Sequence, residues 1–219
     1  MRSLIITYLL FSFCYANKIA IATKVKGKAE ISAVGNSKFS KLTVGTVLSD
    51  GDRIRTGVKG FVAIIFIDDK STLKLKENSE IVVNGQRSAA SIAKKINMDV
   101  GTIRATIKEQ NTDFVIQTPT SVASVKGTDF WLVSDTENGD ELFGLEGIVG
   151  FLNSITGQEI NVTEGMSGLS TPEGNLEIIQ SDESSIPSDP TERDNTSSDI
   201  KIFLEGMNGE QKVLIIQYQ

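Results

Sequence analysis

Residues 114–131 read FVIQTPTSVASVKGTDFW, and the alternation in this stretch decides how the chain is read. Phe114, Ile116 and Thr118 alternate with Val115 and Gln117, the period of two that marks a strand. Pro119 has no N–H for a ladder and pushes Thr118 towards extended backbone, so the strand bends or ends there. Val122, Ser124 and Lys126 then alternate with Ala123 and Val125 until Gly127 breaks the pattern, and Phe130–Val133 starts another strand. Phe130 and Trp131 face opposite sides of that strand. One belongs in a core; the other is a candidate surface aromatic that could stack on a sugar or anchor a partner, and Trp131 is the better choice.

Working outward, Lys18 to Ile179 shows short alternating runs broken by glycine and no sustained spacing of three and four, which predicts an all-β domain. Val25–Ile31 and Val47–Thr56 open it. Phe61–Ile67 is apolar on both faces and is expected in the middle of the core. Asp68, Asp69 and Lys70 turn the chain, Thr72–Lys76 returns, and Ile81–Val83 runs into Asn84-Gly85, a pair suited to a tight turn. Gln86–Lys95 reads as a loop leading into a strand. Gly27, Gly45, Gly51, Gly101, Gly127, Gly147 and Gly165 each head an apolar or hydroxyl-bearing run, which fits an irregular stack of β-coils or a β-sandwich. Composition does not separate the two.

The chain has 219 residues, 39% hydrophobic and 23% charged, as an ordinary globular protein has. Its first sixteen residues differ. Arg2, the apolar run Leu4–Phe13 and the small-x-small ending Cys14-Tyr15-Ala16 have the layout of a secretory signal peptide cleaved after Ala16. The run is shorter than the ~20 residues a membrane helix needs, and no later segment reaches that length. A periplasmic or secreted location without a membrane span in the mature chain is therefore expected.

Cleavage removes the only cysteine, which leaves neither a disulfide nor a thiol. No histidine is present, which excludes Ser-His-Asp and Cys-His catalysis and His-ligated zinc. Loss of Arg2 takes the net charge from −6 to −7, which disfavours nucleic acid and anionic lipid as partners.

Beyond the β domain of residues 17–179, the segment 181–198 reads SDESSIPSDPTERDNTSS. Too polar to bury a core, residues 180–199 are expected to form a disordered linker. In 200–219, Ile200, Ile202 and Leu204 alternate, Asn208-Gly209 supplies a turn, and Val213–Tyr218 returns as a C-terminal β-hairpin. Ile202, Leu204, Val213, Ile215 and Tyr218 are its expected packing face, either capping the chain's own domain or joining a partner's open edge.

Asp50, Asp52, Asp68 and Asp69 are clustered carboxylates of the kind that serve glycosidases or calcium sites. No calcium-loop spacing or matched distant acid accompanies them, and they read as turn residues. Lys126-Gly127-Thr128 lacks the spacer and following helix of a phosphate-binding loop; an ion pair or a turn cap is expected of Lys126. No catalytic residue, metal-ligand set or cofactor motif is read.

Thr118, Pro119, Ala123, Val125, Lys126, Gly127, Thr128 and Phe130 form TP-x-x-x-A-x-VKGT-x-F, which resembles the most recognisable stretch of the FecR domain. Leu42, Gly45, Leu48, Gly51, Asp52, Ile54, Thr56 and Gly57 resemble its L-x-x-G-x-x-L-x-x-GD-x-I-x-TG segment. Leu145, Glu146, Gly147, Ile148 and Val149 resemble its "v-x-EG-x-V" strand. The likeness runs from about Ile21 to Met166. It implies a twisted β-solenoid and a place on the outer side of a bacterial inner membrane. Where this chain has Asp68-Asp69 the family usually carries Asp-Gly. Its signal-transducing relatives add a cytoplasmic anti-sigma segment, a membrane helix and a further small domain, none of which is read here.

The resemblance therefore implies an exported, non-enzymatic interaction or sensing module with an envelope protein partner. A carbohydrate- or peptidoglycan-binding module, motivated by Trp131, is the alternative. A solenoid-type polysaccharide-degrading enzyme is the remote one.

Overall fold

The computed structural model describes residues 17–88, 91–108, 114–191, 198–205 and 211–218. The expected signal peptide, Cys14 and Ala16 lie outside them. The described residues contain strands and turns and no helix, and so none long and apolar enough to cross a membrane.

The chain opens with β1 (Lys18–Lys26), β2 (Ala29–Ser32), β3 (Ser40–Lys41), β4 (Val47–Ser49) and β5 (Asp52–Thr56). It continues through β6 (Phe61–Phe66), β7 (Thr72–Leu75), β8 (Glu80–Arg87) and the long β9 (Ile92–Ile107). Next come β10 (Phe114–Gln117), β11 (Ser121–Val125), β12 (Thr128–Asp135) and β13 (Gly139–Glu146). β14 (Ile148–Asn153), β15 (Glu159–Thr163), β16 (Met166–Ser170) and β17 (Leu176–Gln180) complete the first unit.

These strands fall into two layers. One runs β4-β1-β6-β7-β9-β12-β13-β16-β17. The other runs β3-β2-β5-β8-β9-β10-β11-β14-β15. Successive hairpins alternate between the layers, so the chain advances along the stack as it winds. Every pairing is antiparallel except β9–β10.

β9 belongs to both layers. Ile92 to Val100 pair with β8, and Gly101 to Ile107 pair with β12. Between them Gly101 has φ +124°, and a Cβ there would lie 2.4 Å from the Ser79 Cα. Only a glycine fits the bend.

Inward residues of both layers make one core. Ile64, Leu73, Ile103, Phe130, Leu132 and Leu142 come from the first layer, and Ile54, Ile81, Ile96, Phe114, Ala123 and Phe151 from the second. The alternation of β10–β12 produces this, since every second side chain faces the same way. The apolar run Phe61–Phe66 is central as expected, with four successive residues buried.

Three expectations need correction. Gly27, with φ +60°, turns the chain inside the expected strand 25–31, leaving β1 and β2 as separate strands. Asn84-Gly85 is no turn, because β8 runs straight through it, with Asn84 opposite Lys95 and Gly85 opposite Lys94. Gly85 is demanded by packing instead: a Cβ would lie 2.7 Å from the Ile19 Cγ2 and 3.0 Å from the Ile92 Cγ2. The loop expected over 86–95 is accordingly shorter, since β8 reaches Arg87 and β9 starts at Ile92.

The first compact unit ends at Ile186. Within the segment expected as a linker, the Ser181 amide bonds the Gly165 carbonyl at 2.9 Å, and Asp182 caps a turn through the Ser184 amide. Residues 192–197 lie outside the described residues. The second unit contains β18 (Ser198–Glu205) paired with β19 (Gln211–Tyr218), an antiparallel ribbon as the sequence predicts. Its register places Ile200 opposite Ile216 and Ile202 opposite Leu214, whereas Val213 and Ile215 face Phe203 and Lys201.

Candidate functional site

Pro119 ends β10, and Thr118 organises the corner that follows. The Thr118 Oγ1 accepts the amides of Thr120 at 3.1 Å and Ser121 at 2.8 Å, holding the turn that starts β11. It also lies 2.5 Å from the Asp140 Oδ2, which is close to the Ser121 hydroxyl as well. Asp140 is 4% exposed. Its second oxygen has no hydrogen-bond partner among the described residues. Beside it, Asn153 donates to the Ser170 hydroxyl at 2.9 Å and the Thr171 carbonyl at 3.0 Å. Thr118, Ser121, Asp140, Asn153 and Ser170 thus form a buried polar seam at one end of the core, and β14 brings Asn153 opposite Ser121. With no exposed hydroxyl or base in it, the seam serves as structure.

The turn after β11 brings two glycines together. A Cβ on Gly147, whose φ is +79°, would lie 2.7 Å from the Gly127 carbonyl oxygen. Thr128 is buried beside them, its hydroxyl without a partner among the described residues. Lys126 is exposed on this turn, and its side chain makes no ion pair or hydrogen bond among the described residues, so the ion pair expected of it is absent.

Trp131 is 1% exposed, which corrects the expectation of a surface aromatic. Phe130 enters the core as read, but the other face of β12 is covered too. Trp131 pairs across the ladder with Phe143 and Arg104. The Arg104 guanidinium lies 5.9 Å and the Lys76 Nζ 5.7 Å from the ring centroid. Arg104 also makes a two-point bridge to Asp129, at 2.9 and 3.0 Å. No sugar can stack on a ring enclosed in this way.

In the first motif block, Gly51 has φ +81° and Asp52 accepts the Ser49 amide at 2.8 Å, the turn geometry read from sequence. Burial raises the pKa of Asp52 and the charge of Asp50 adds to this, against the amides of Ser49 and Val34. Thr56 is the hub of the next corner. Its hydroxyl donates to the Lys76 carbonyl at 2.6 Å and accepts the Ser79 amide at 2.9 Å, while the Gly57 amide bonds the Lys28 carbonyl.

Asp68 and Asp69 do more than turn the chain. The Asp69 Oδ1 accepts the Ser71 amide, but Oδ2 of Asp68 and Oδ2 of Asp69 receive the Lys94 Nζ at 2.8 and 2.7 Å. The Lys94 side chain is 0% exposed. Burial opposes the charge on Asp68, yet the hydrogen bond and charge of Lys94, with the Ile92 amide, outweigh it and hold the carboxyl below its ordinary range. Sequence reading missed Lys94. The available signal was its parity, because Ile92, Lys94, Ile96 and Met98 share the inward face of β9.

One open groove of about 590 Å³ lies along β8, β9 and β10, between Asp50, Asn84, Gln86, Lys95, Val115 and Gln117. Its lining combines the three side-chain amides with Asp50, Lys94 and Lys95, and with Gly85, Ala93 and Val115. Among the described residues no group of three or more acidic, Cys or His side chains is placed to hold a metal ion.

No curated protein matches the chain. Two solved structures of candidate anti-sigma factors from Parabacteroides distasonis are similar. One is 14% identical with a TM-score of 0.49, covering 59% of this chain and 60% of its own. The other is 11% identical with a TM-score of 0.40, covering 70% of this chain and 61% of its own. This chain thus spans about three fifths of the length of each. The family model described as FecR protein matches residues 52–150, from Asp52 at the Gly-Asp turn through the buried Thr118 corner to the Gly147 turn. Residues 52–150 are therefore a FecR-like stretch.

Proposed function

We propose that this protein is an exported FecR-domain module that works in the cell envelope by binding a protein partner rather than by catalysis. The observation that carries this is the FecR match over residues 52–150, a domain of regulatory and sensing proteins. The motif residues support it by their roles: Gly51, Asp52, Thr56, Thr118 and Gly147 hold turns and corners and do not converge on a reacting centre.

A protein partner has an open edge to join. β17 pairs with β16 alone among the described pairings, and Ile178 and Ile179 on it are 43% and 42% exposed. An unpaired edge with apolar side chains accepts an added strand. The test places a photo-crosslinker at Ile179 in cells and a control at Val58, which is exposed elsewhere. A protein adduct from position 179 and none from 58 is expected. No adduct from 179 would count decisively against a partner at this edge. N-terminal sequencing of the exported chain should begin at Asn17.

A glycan ligand is the second reading, and it now rests on the groove. Asn84, Gln86 and Gln117 present the paired donors and acceptors that sugar hydroxyls use. Titration of soluble peptidoglycan fragments followed by amide NMR should move the Asn84 and Gln117 side-chain signals if this reading holds.

A further inference from the structure

The geometry points to an intramolecular amide between the Lys94 Nζ and the Asp69 carboxyl, formed with Asp68 as the acid–base group. Three functional groups that could only be salt-bridged at a surface are here enclosed together. The Lys94 Nζ is 2.7 Å from one Asp69 oxygen and 2.8 Å from one Asp68 oxygen. The lysine side chain is fully buried, while both carboxylates keep 14% exposure. Around them the site is apolar: Nζ lies 5.4 Å from the Phe66 ring centroid, and Phe66 packs edge-on against Phe114, which stands opposite Lys94 in the ladder.

Such a site has the parts that condensation needs. Contact with a carboxylate oxygen leaves the amine one bond beyond the carbon it must attack, which is the proximity that makes an intramolecular reaction fast. Proton transfer within the Lys94–Asp69 pair is what supplies the free amine lone pair. Two acids are required, one to become the acyl group and one to carry protons. Asp69 is the first and Asp68 the second, both in contact with the Lys94 Nζ. Asp68 is held in place by the Ile92 amide at 3.0 Å, and Asp69 by the Ser71 amide at 2.9 Å.

The step balances without any co-reactant. One ammonium proton passes to the Asp69 carboxylate, which gives a neutral amine and a carboxylic acid. The amine lone pair forms the N–C bond at the Asp69 carbonyl carbon. Asp68 takes a second proton from nitrogen and returns it to the departing hydroxyl as the C–O bond breaks. One water leaves through the exposed side of the carboxylates, and Asp68 ends unchanged. The product ties the turn after β6 to the start of β9 in a chain whose only cysteine is Cys14, and constrains the unfolded state as a disulfide would.

The test is mass spectrometry of the full exported chain after its N-terminus has been read. An intact mass lower than the sequence by one water is expected, with a tryptic branched peptide joining Lys94 to Asp69 and no cleavage after Lys94. The Lys94→Met chain is expected at full mass. A wild-type chain of full mass whose Lys94 peptide is linear and cleaved would overturn the proposal. So would a water deficit that persists in Lys94→Met, since it must then arise elsewhere.

Discussion

Thr118 and Asp140, twenty-two residues apart in sequence, meet at 2.5 Å inside the core. That contact joins the start of the FecR motif to the second strand of the next hairpin, so the motif's first threonine ties two turns of the chain together. Thr118→Val keeps the shape and removes the oxygen. The amides of Thr120 and Ser121 then lose their acceptor, and Asp140 loses a donor. A loss of ~2–3 kcal/mol is expected, read as a lower urea midpoint with the slope unchanged. A midpoint like the wild type's would mean that the corner is held by something else.

Gly85 tests packing against conformation. Its added methyl group would meet Ile19 and Ile92 inside the core, so Gly85→Ala should cost ~1–3 kcal/mol. Gly157 has positive φ but open space around it, so Gly157→Ala should cost ~1 kcal/mol. Thermal unfolding of the two variants side by side decides the order, and a more damaging Gly157→Ala would refute the packing account.

Asp52 gives a pH dependence whose sign is fixed. Its folded pKa is raised by burial above the unfolded value. The chain therefore gains stability from protonating it; that gain is full below the unfolded pKa of about 3.9 and is lost as pH rises through the folded pKa. Asp52→Asn keeps an oxygen for the Ser49 amide and removes the titration. Relative to that variant, the wild type should gain stability as pH falls from neutral to about 3. Urea midpoints that run parallel across this range would rule the effect out.

Trp131 is the single tryptophan, which makes its burial directly measurable. Native emission should be blue-shifted and little quenched by acrylamide, with both properties changing only on unfolding. Peptidoglycan fragments should leave it unaltered even if they occupy the groove. Trp131→Ala should cost ~3–5 kcal/mol, an effect on stability rather than on recognition.

The fold was legible where side chains alternate and turns carry their own chemistry. Phe114, Ile116, Ala123 and Val125 announce inward positions by period, and the turns at Gly51 and Gly127 announce themselves by composition. What was illegible depends on partners far away in sequence. Asn84-Gly85 has the composition of a turn, and only the approach of Ile19 explains its glycine within a strand. Trp131 sits on a face that alternation alone marks as solvent, but Phe143 and Arg104 flank it in the ladder and the Lys76 Nζ lies near its ring. A lysine after Ala93 reads as surface until Asp68 and Asp69 are brought over it by the preceding hairpin. The roles of Thr118 and Thr56 were readable as corner chemistry, though not the carbonyls and the carboxylate they hold.

The bend at Gly101 makes β9 a shared spine. Because one continuous strand is a rung of both ladders, a displacement of either layer is passed to the other through covalent bonds and not merely through side-chain contact. Peeling the layers apart would break the ladders on both halves of β9 at once. The domain should consequently open all together or not at all, and native-state hydrogen exchange should show the amides of β8 and β12, in different layers, escaping protection with a common free energy. A partner that grips one edge would then move the whole stack as one lever.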